Sequence, residues 1–367
     1  MGEYVGALER LIGDSRSLGL LGAPRTAYLG GGTPTLLGAD LLGTLISSVC
    51  RQGIVEELSF EANPESLADN VISAAARSGA TRISIGAQSF IDRELKALGR
   101  IHTSLHARER VIAAVESGLD VSLDLMCGIP YQTDQTWRRS LEEAVDLGVS
   151  HISCYPLMIE EGTAMERLCD AGKLPWPDDD VEADYMQTAS RVLSEAGFSR
   201  YEVASYASPL KSCRHNITYW TGGEYLGLGT SASSMLCRES YLTLGSAVPS
   251  LPAPQGDSVR FRLTITSSAN DIARSKTLAD LCFDVEQLNA REVAAEDLML
   301  GMRMSKGISK DLISVASEYI PIDGLRVAIG DALHEGLASW DAQDHLVPTT
   351  RGWLMGNELY GLFWDLA

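Results

Sequence analysis

Apolar residues near the N-terminus recur at Val5, Leu8, Leu11 and Ile12, a spacing that predicts a helix from Met1 to about Leu20. The period then changes. Thr26–Leu29 is a short apolar run of the kind a buried strand makes, and it stops at Gly30-Gly31-Gly32-Thr33-Pro34, where Pro34 blocks direct continuation into a helix. The same sequence of apolar run, polar turn and amphipathic segment then repeats. Strands are predicted over 57–64, 81–88, 121–130, 151–157 and 201–206, and helices over 40–50, 66–78, 92–98, 104–117, 134–147 and 180–196. Such alternation makes βαβ units and a parallel sheet. With no dinucleotide-binding fingerprint after the first strand, the pattern predicts a barrel or partial barrel rather than a Rossmann fold.

The last third reads differently. Residues 245–257, rich in Pro, Gly and Ser, predict a loop, followed by a short strand over 259–266. From about Leu278 the spacing of Leu288, Val293, Leu298, Leu300 and Met302 predicts a compact helical region. Met299, Met302 and Met304 fit core filling better than a cofactor box. The expected organisation is a partial barrel with its extension over 1–235, a connecting strand and linker over 236–277, and a small C-terminal domain over 278–367.

Composition narrows the functional classes. The chain has 367 residues, 45% of them hydrophobic and 22% charged, values of a folded globular protein without a disorder signature. A net charge of −19 argues against a general nucleic-acid surface. No apolar run reaches the length of a membrane span and no signal peptide is recognisable, so a cytoplasmic location is expected. The seven cysteines (Cys50, Cys127, Cys154, Cys169, Cys213, Cys237 and Cys282) are odd in number and scattered, which fits reduced thiols. No two lie within four positions of each other, so no closely spaced iron–sulfur set can be drawn.

In a parallel sheet of this kind, chemistry collects where the strands end. The residues predicted there are Gly30–Thr33, Glu61, Gln88, Asp124 and Tyr155. Glycines allow close backbone approach to a ligand, and their N–H groups can hold a carboxylate or phosphate. Each residue also has a plain structural explanation: Glu61 and Asn63 could shape the turn before Pro64, and Asp124 could bond neighbouring backbone. Their recurrence on successive strands favours a common ligand, because unpaired burial would cost about a few kcal/mol each.

The stretches YLGGGTPTLL (28–37), FEANP (60–64), SIGAQSF (84–90), LGRIHT (98–103), DLMCGIPYQT (124–133), HISCYPLMIEEGT (151–163) and HNITYW (215–220) together resemble the HemW family of radical S-adenosylmethionine (SAM) haem chaperones. That family is related to oxygen-independent coproporphyrinogen III dehydrogenase, HemN. AEDLMLGMRMSKG (295–307) and VPTTRGW (347–353) extend the resemblance to the C-terminal region. The resemblance implies an α/β fold: a partial (β/α) radical-SAM TIM-like barrel missing its first strand, with a small mainly helical C-terminal domain. It implies SAM binding by Gly31, Gly32, Thr33, Glu61, Gln88, Arg100 and Asp124. It also implies His215 as a haem-iron ligand, with Cys213 as a second or alternative one. Judged by residue type alone, a capped turn with Tyr219 and Trp220 in the core would explain HNITYW.

One family feature is missing. A CxxxCxxC motif, whose thiolates bind a 4Fe–4S cluster, has no counterpart in this sequence, and neither does the strand that precedes it. Radical chemistry is therefore not expected of the chain as given. The preferred explanation is a protein that continues upstream of Met1, and the alternative is genuine loss of the cluster. The leading functional expectation is a haem chaperone that binds haem or porphyrin and delivers it to an acceptor protein at a membrane. The alternatives are oxidative decarboxylation of coproporphyrinogen III and a SAM-binding scaffold without chemistry.

Overall fold

The computed structural model describes residues 1–367 except Leu21, Ala23, Gln52 and Ile54. The chain divides into two compact units, one built from residues 26–46 and 57–213, the other from 1–25, 47–56 and 214–367.

The first unit is organised on a seven-stranded sheet. Its strands are β1 (Thr26–Leu29), β2 (Glu57–Ala62), β3 (Arg82–Gln88), β4 (Asp120–Cys127), β5 (His151–Pro156), β6 (Ser199–Arg200) and β7 (Ser205–Ala207), in the spatial order β1-β2-β3-β4-β5-β7-β6. β1 to β5 are parallel, and β7 and β6 add antiparallel strands beyond β5. Among the described residues β1 is an edge strand that pairs with β2 alone. The sheet forms because its apolar residues are excluded from water: Leu58, Phe60, Ile83, Ile85, Leu123, Leu125, Ile152 and Cys154 are fully buried.

Helices α2 (Gly38–Cys50), α3 (Asp69–Ser78), α4 (Asp92–Ala97), α5 (Ser104–Glu116), α6 (Asp134–Asp146), α7 (Ala164–Asp170) and α8 (Asp179–Glu195) follow the strands; α2 runs on past Ile46 into the second unit's residues. Side-chain caps set several starts. Thr103, Thr133, Thr163 and Asp178 each accept a hydrogen bond from a first-turn N–H. α3 ends at Gly79, whose φ of +112° closes the helix in a left-handed turn.

Two local expectations are corrected. The strand predicted over 201–206 is a short hairpin, β6 and β7, which turns within 201–205: the Tyr201 N–H still bonds the Ser205 carbonyl at 3.1 Å, and Glu202 accepts from the Ala204 N–H at 3.1 Å. The helix predicted from Ser66 begins at Asp69, since Pro64–Ser66 forms a single 3₁₀ turn first.

The second unit contains the N-terminal helix α1 (Gly2–Ser17), which is helical as its spacing predicts. α1 packs against α11 (Ala269–Arg274), and Arg10 donates to the Ser275 carbonyl at 2.9 Å. An antiparallel sheet of β8 (Ser233–Cys237), β9 (Ser258–Ile265) and β10 (Phe283–Asn289) follows α9 (Arg214–Trp220), with α10 (Arg238–Ala247) packed on it. Tyr241 stacks on Phe261 at 3.9 Å. The helix predicted from Leu278 therefore starts later. Phe283–Asn289 alternates as FDVEQLN and pairs with β9, and only then does Asn289 cap α12 (Ala290–Met302). A helix also occupies the start of the predicted 245–257 loop.

The remainder is α13 (Lys310–Ala316), α14 (Ile322–His334), α15 (Thr350–Leu354) and α16 (Gly356–Trp364), together with a small sheet of β11 (Ile308–Ser309), β12 (Ala338–Trp340) and β13 (His345–Pro348). Their core includes Leu298, Met302, Ile308, Leu346, Leu359 and Phe363. Met302 is part of that core, as its residue type suggested. Among the described residues no helix is long and apolar enough to cross a membrane.

Candidate functional site

Because β1 to β5 are parallel, the polar residues at their C-terminal ends fall along one edge of the sheet. Glycine makes the first part of this edge possible. A Cβ on Gly30 would lie 2.7 Å from the Tyr28 ring and 2.9 Å from the Glu61 carboxylate, so only glycine fits between them. Gly31, at φ +78°, faces open space, as does Gly32. Asn63, just after β2, donates to Thr33 Oγ1 at 2.9 Å, and Arg100 Nη1 donates to Asn63 Oδ1 at 3.4 Å. Thr33, Asn63 and Arg100 are thereby joined in one chain of bonds.

Two carboxylates stand beside it. Glu61 accepts from Tyr28 Oη at 3.0 Å, and Asp124 accepts from Ser84 Oγ at 3.3 Å to each oxygen. Asp124 keeps some accessible surface, but protein surrounds its carboxylate and loss of hydration raises its pKa to about 6. Bonds from Ser84 and Ser153 and the charge of Arg100 oppose that rise, while Glu61 adds to it. Burial, reinforced by Glu61 and Asp124, pushes the Tyr28 phenol upward, so it stays a donor. Gln88 is held at φ +64° where the β3–β4 register shifts, an uncommon conformation for a residue with a side chain. Its Oε1 accepts from Tyr155 at 3.0 Å. A Cβ on Gly86 would lie 2.9 Å from Gln88 Nε2, so that glycine also makes room for the site.

Gly31, Gly32, Thr33, Glu61, Gln88, Arg100 and Asp124 thus lie in one unit, all at or beyond the C-terminal ends of the strands except Asp124, which lies within β4. Sequence reasoning missed the residues that hold them. Ser84 and Ser153 alternate with buried apolar neighbours, and that polar phase was the available signal. Glu94 falls within the helix predicted over 92–98. It is buried and accepts from Ser89 at 2.7 Å, Thr136 at 2.6 Å and Gln132 at 3.2 Å, fixing the loop after Gln88. His102 bonds Glu65 at 3.0 Å and the Ala87 carbonyl at 3.4 Å, tying the turns that carry Asn63 and Gln88.

His215 belongs to the second unit, on α9. Its Nε2 hydrogen-bonds Tyr219 Oη at 2.9 Å, and Tyr219 packs edge-on against Tyr225 at 4.5 Å. Residues 214–220 are helical rather than a capped turn. Cys213, buried at the end of the first unit, directs its thiol to Glu57 Oε1 at 3.4 Å.

The site's donors suit a zwitterion. Two carboxylates can take an ammonium or ribose hydroxyls, a guanidinium can take a carboxylate, and the glycines admit close approach. The thiols do not suit an iron–sulfur cluster. Among the described residues no three His, Cys, Asp or Glu side chains converge to hold a metal ion, and burial raises the Cys127 pKa to about 12, keeping that thiol protonated. No step through a cluster follows from these residues.

Residues 8–144 match the radical SAM superfamily. The chain is 35% identical to the heme chaperone HemW of Mycobacterium tuberculosis over 316 residues, which is 84% of this chain and 76% of that one. It is 28% identical to the heme chaperone HemW of Bacillus subtilis over 369 residues, 98% and 91% of the two chains. Among solved structures, coproporphyrinogen III oxidase (HemN) of Escherichia coli, a radical SAM enzyme, superposes with a TM-score of 0.75 at 19% identity, covering 99% of this chain and 83% of its own. That likeness gives the fold, a parallel α/β sheet of the radical SAM type. Sequence identity sustained over three quarters of a relative places the chain in the HemW family of the radical SAM superfamily.

Proposed function

We propose that this protein is a haem chaperone that binds haem through the α9 region and SAM at the strand ends of the first unit. The observation that carries the haem reading is the geometry of His215. Its Nε2 is held by Tyr219, a phenol that an iron centre can displace, and the exposed Tyr219, packed edge-on against Tyr225 beyond the helix, offers an aromatic ring to a flat macrocycle. The SAM reading is supported by the zwitterion-matched groups Glu61, Arg100 and Asp124 beside Gly31, Gly32 and Thr33. Gln88, with one amide oxygen taken by Tyr155, retains its N–H groups for the ligand.

SAM bound here would supply the family's sulfonium chemistry when a 4Fe–4S cluster is also present. This chain's own residues would bind and orient the amino-acid end. The HemW relatives, named heme chaperones, support haem binding ahead of coproporphyrinogen decarboxylation, for which the 19%-identical HemN structure supports only the fold; delivery to an acceptor protein at a membrane is part of the proposal. We place the protein in the cytoplasm on this reading, with docking through a partner protein, because a net charge of −19 disfavours anionic lipid.

The test is haem titration of the purified chain. A Soret band should develop and should shift or weaken in His215→Ala, while SAM binding is unchanged. An unaltered Soret band in His215→Ala would remove His215 from the site.

A further inference from the structure

A basic group in the second unit is left unused by everything above. Arg303 follows α12 and sits between two aromatic rings, its Cζ 5.4 Å from the centre of Trp220 and 4.6 Å from that of Tyr360. Among the described residues the Arg303 side chain forms no hydrogen bond or ion pair, although 49 acidic residues give the chain an excess of negative charge. The nearby acids on α12 are engaged elsewhere: Glu296 with Arg260 and Arg262, and Asp297 with Arg260. Three further facts point the same way. Arg303 Nε, Trp220 Nε1 and Ser305 Oγ are buried polar atoms without a partner, and the first two can only donate. A native protein rarely leaves buried donors such as Arg303 Nε and Trp220 Nε1, whose side chains are in contact, without an acceptor.

The surroundings are rigid. Met304 N–H bonds the Gly301 carbonyl at 3.0 Å and Gly307 N–H bonds the Met304 carbonyl at 2.9 Å, so the turn that presents Arg303 and Ser305 is fixed by its backbone. Gly356 permits the Tyr360 ring to lie where it does, since a Cβ there would come within 2.7 Å of it. A guanidinium clamped between rings, with its own N–H groups unspent, is a preorganised receptor for a carboxylate.

We infer that Arg303, with Trp220 Nε1 and Ser305 Oγ, binds a carboxylate of the porphyrin whose iron meets His215. This rests on the haem reading above. Trp220 lies five residues beyond His215 on the same helix, about 7.5 Å along its axis. Arg303 would set the orientation of the macrocycle, and His215 would set the iron ligation.

The experiment compares iron protoporphyrin IX with its dimethyl ester, which lacks the carboxylates, by Soret titration of the full chain and of Arg303→Met, which keeps an apolar stem between the rings. The wild type should bind the free acid roughly 10- to 30-fold more tightly than the ester. Arg303→Met should lose that difference while its Soret maximum and its affinity for the ester stay unchanged. Equal wild-type affinities for acid and ester would overturn the inference whatever the variant does, and so would an equal loss for both ligands in Arg303→Met. If neither porphyrin binds the wild type, the haem reading itself falls, an outcome distinct from a protein that binds both alike.

Discussion

The two edges of the first unit's sheet carry similar residue types and treat them in opposite ways. At the start of the strands, Arg82 and Glu57 are both buried with Arg82 Nε 3.7 Å from Glu57 Oε2, and Arg82 Nη2 donates to the Lys211 carbonyl. Beside them Ser122, His151 and Tyr201 form an unbroken chain at 2.7 and 2.9 Å, and Tyr201 Oη accepts from the Cys213 N–H at 3.3 Å. Burial, aided by the charge of Arg82, lowers the His151 pKa to about 3 and keeps its ring neutral. At the other edge Gly31 and Gly32 face open space, Gln88 sits at φ +64°, and Asp124 is held near pKa 6. One edge spends its polar groups on each other. The other keeps capacity in reserve, which is what a binding site requires.

That contrast can be broken most severely at the closed edge. Arg82→Met should lower unfolding stability by about 3–5 kcal/mol, because Glu57 would remain buried without its cation. Arg82 Nη1 has no acceptor among the described residues, so Glu57 and the Lys211 carbonyl are the partners its guanidinium depends on. Denaturant melts of the two proteins check this, and a loss below about 1 kcal/mol would show that the pair is not what closes this edge.

At the open edge the expected effect moves from stability to affinity. On the proposed SAM reading, Glu61→Gln removes a charge that the ligand would meet but keeps an acceptor for Tyr28 at the same place. SAM affinity should fall about 10- to 100-fold, in line with about 1.5–3 kcal/mol for a charge-assisted bond, with the melting temperature nearly unchanged. Calorimetric titration alongside thermal melts separates the two. A variant that loses stability without losing affinity would move Glu61 to the structural side of the comparison.

Asp124 tests the same edge through pH. Its pKa of about 6 in the folded protein lies above the ordinary 3.8, so the folded state holds the proton more tightly. Stability from this group is therefore complete below about pH 4 and is lost as pH rises through about 6. Asp124→Asn should stabilise the ligand-free protein by about 1–2 kcal/mol at pH 7.5, after allowance for partial solvent access, and by nothing at pH 4. A gain that persists at pH 4 would assign the effect to packing rather than charge.

Much of the fold was legible because period and burial agree. β1 to β5 emerge as short apolar runs, and α1, α6 and α8 as amphipathic segments with recognisable starts. β10 was not legible: Phe283 and Val285 alternate with Asp284 and Glu286, but pairing with β9, not local propensity, makes that alternation a strand. Of the site, the strand-end residues Glu61, Gln88 and Asp124 were visible because polar groups interrupt apolar strands. Glu94 and His102 were not, since their roles depend on Thr136 and Glu65, which are distant in sequence. Nothing in residue type told Glu57, at one end of β2, from Glu61, at the other, as partner of an arginine or of a ligand. Only the surroundings decide.

Gln88 offers the smallest effect and the finest discrimination. Its left-handed backbone is one that glycine adopts freely, so Gln88→Gly should relieve about 1 kcal/mol of strain. It also deletes the bond from Tyr155, a loss of about 1 kcal/mol that leaves a buried hydroxyl to find another acceptor. The two changes nearly cancel, and thermal melts of the ligand-free protein should agree within about 1 kcal/mol. SAM binding has no such compensation, because glycine supplies neither the amide donors nor the fixed loop geometry that the ligand meets. A several-fold loss of SAM affinity at constant stability is therefore expected. Arg82, on the same strand, should show the reverse pattern. If Gln88→Gly instead left affinity intact and raised stability, the strained conformation would be an unrelieved defect of the fold, and the reserve attributed to the open edge would not include it.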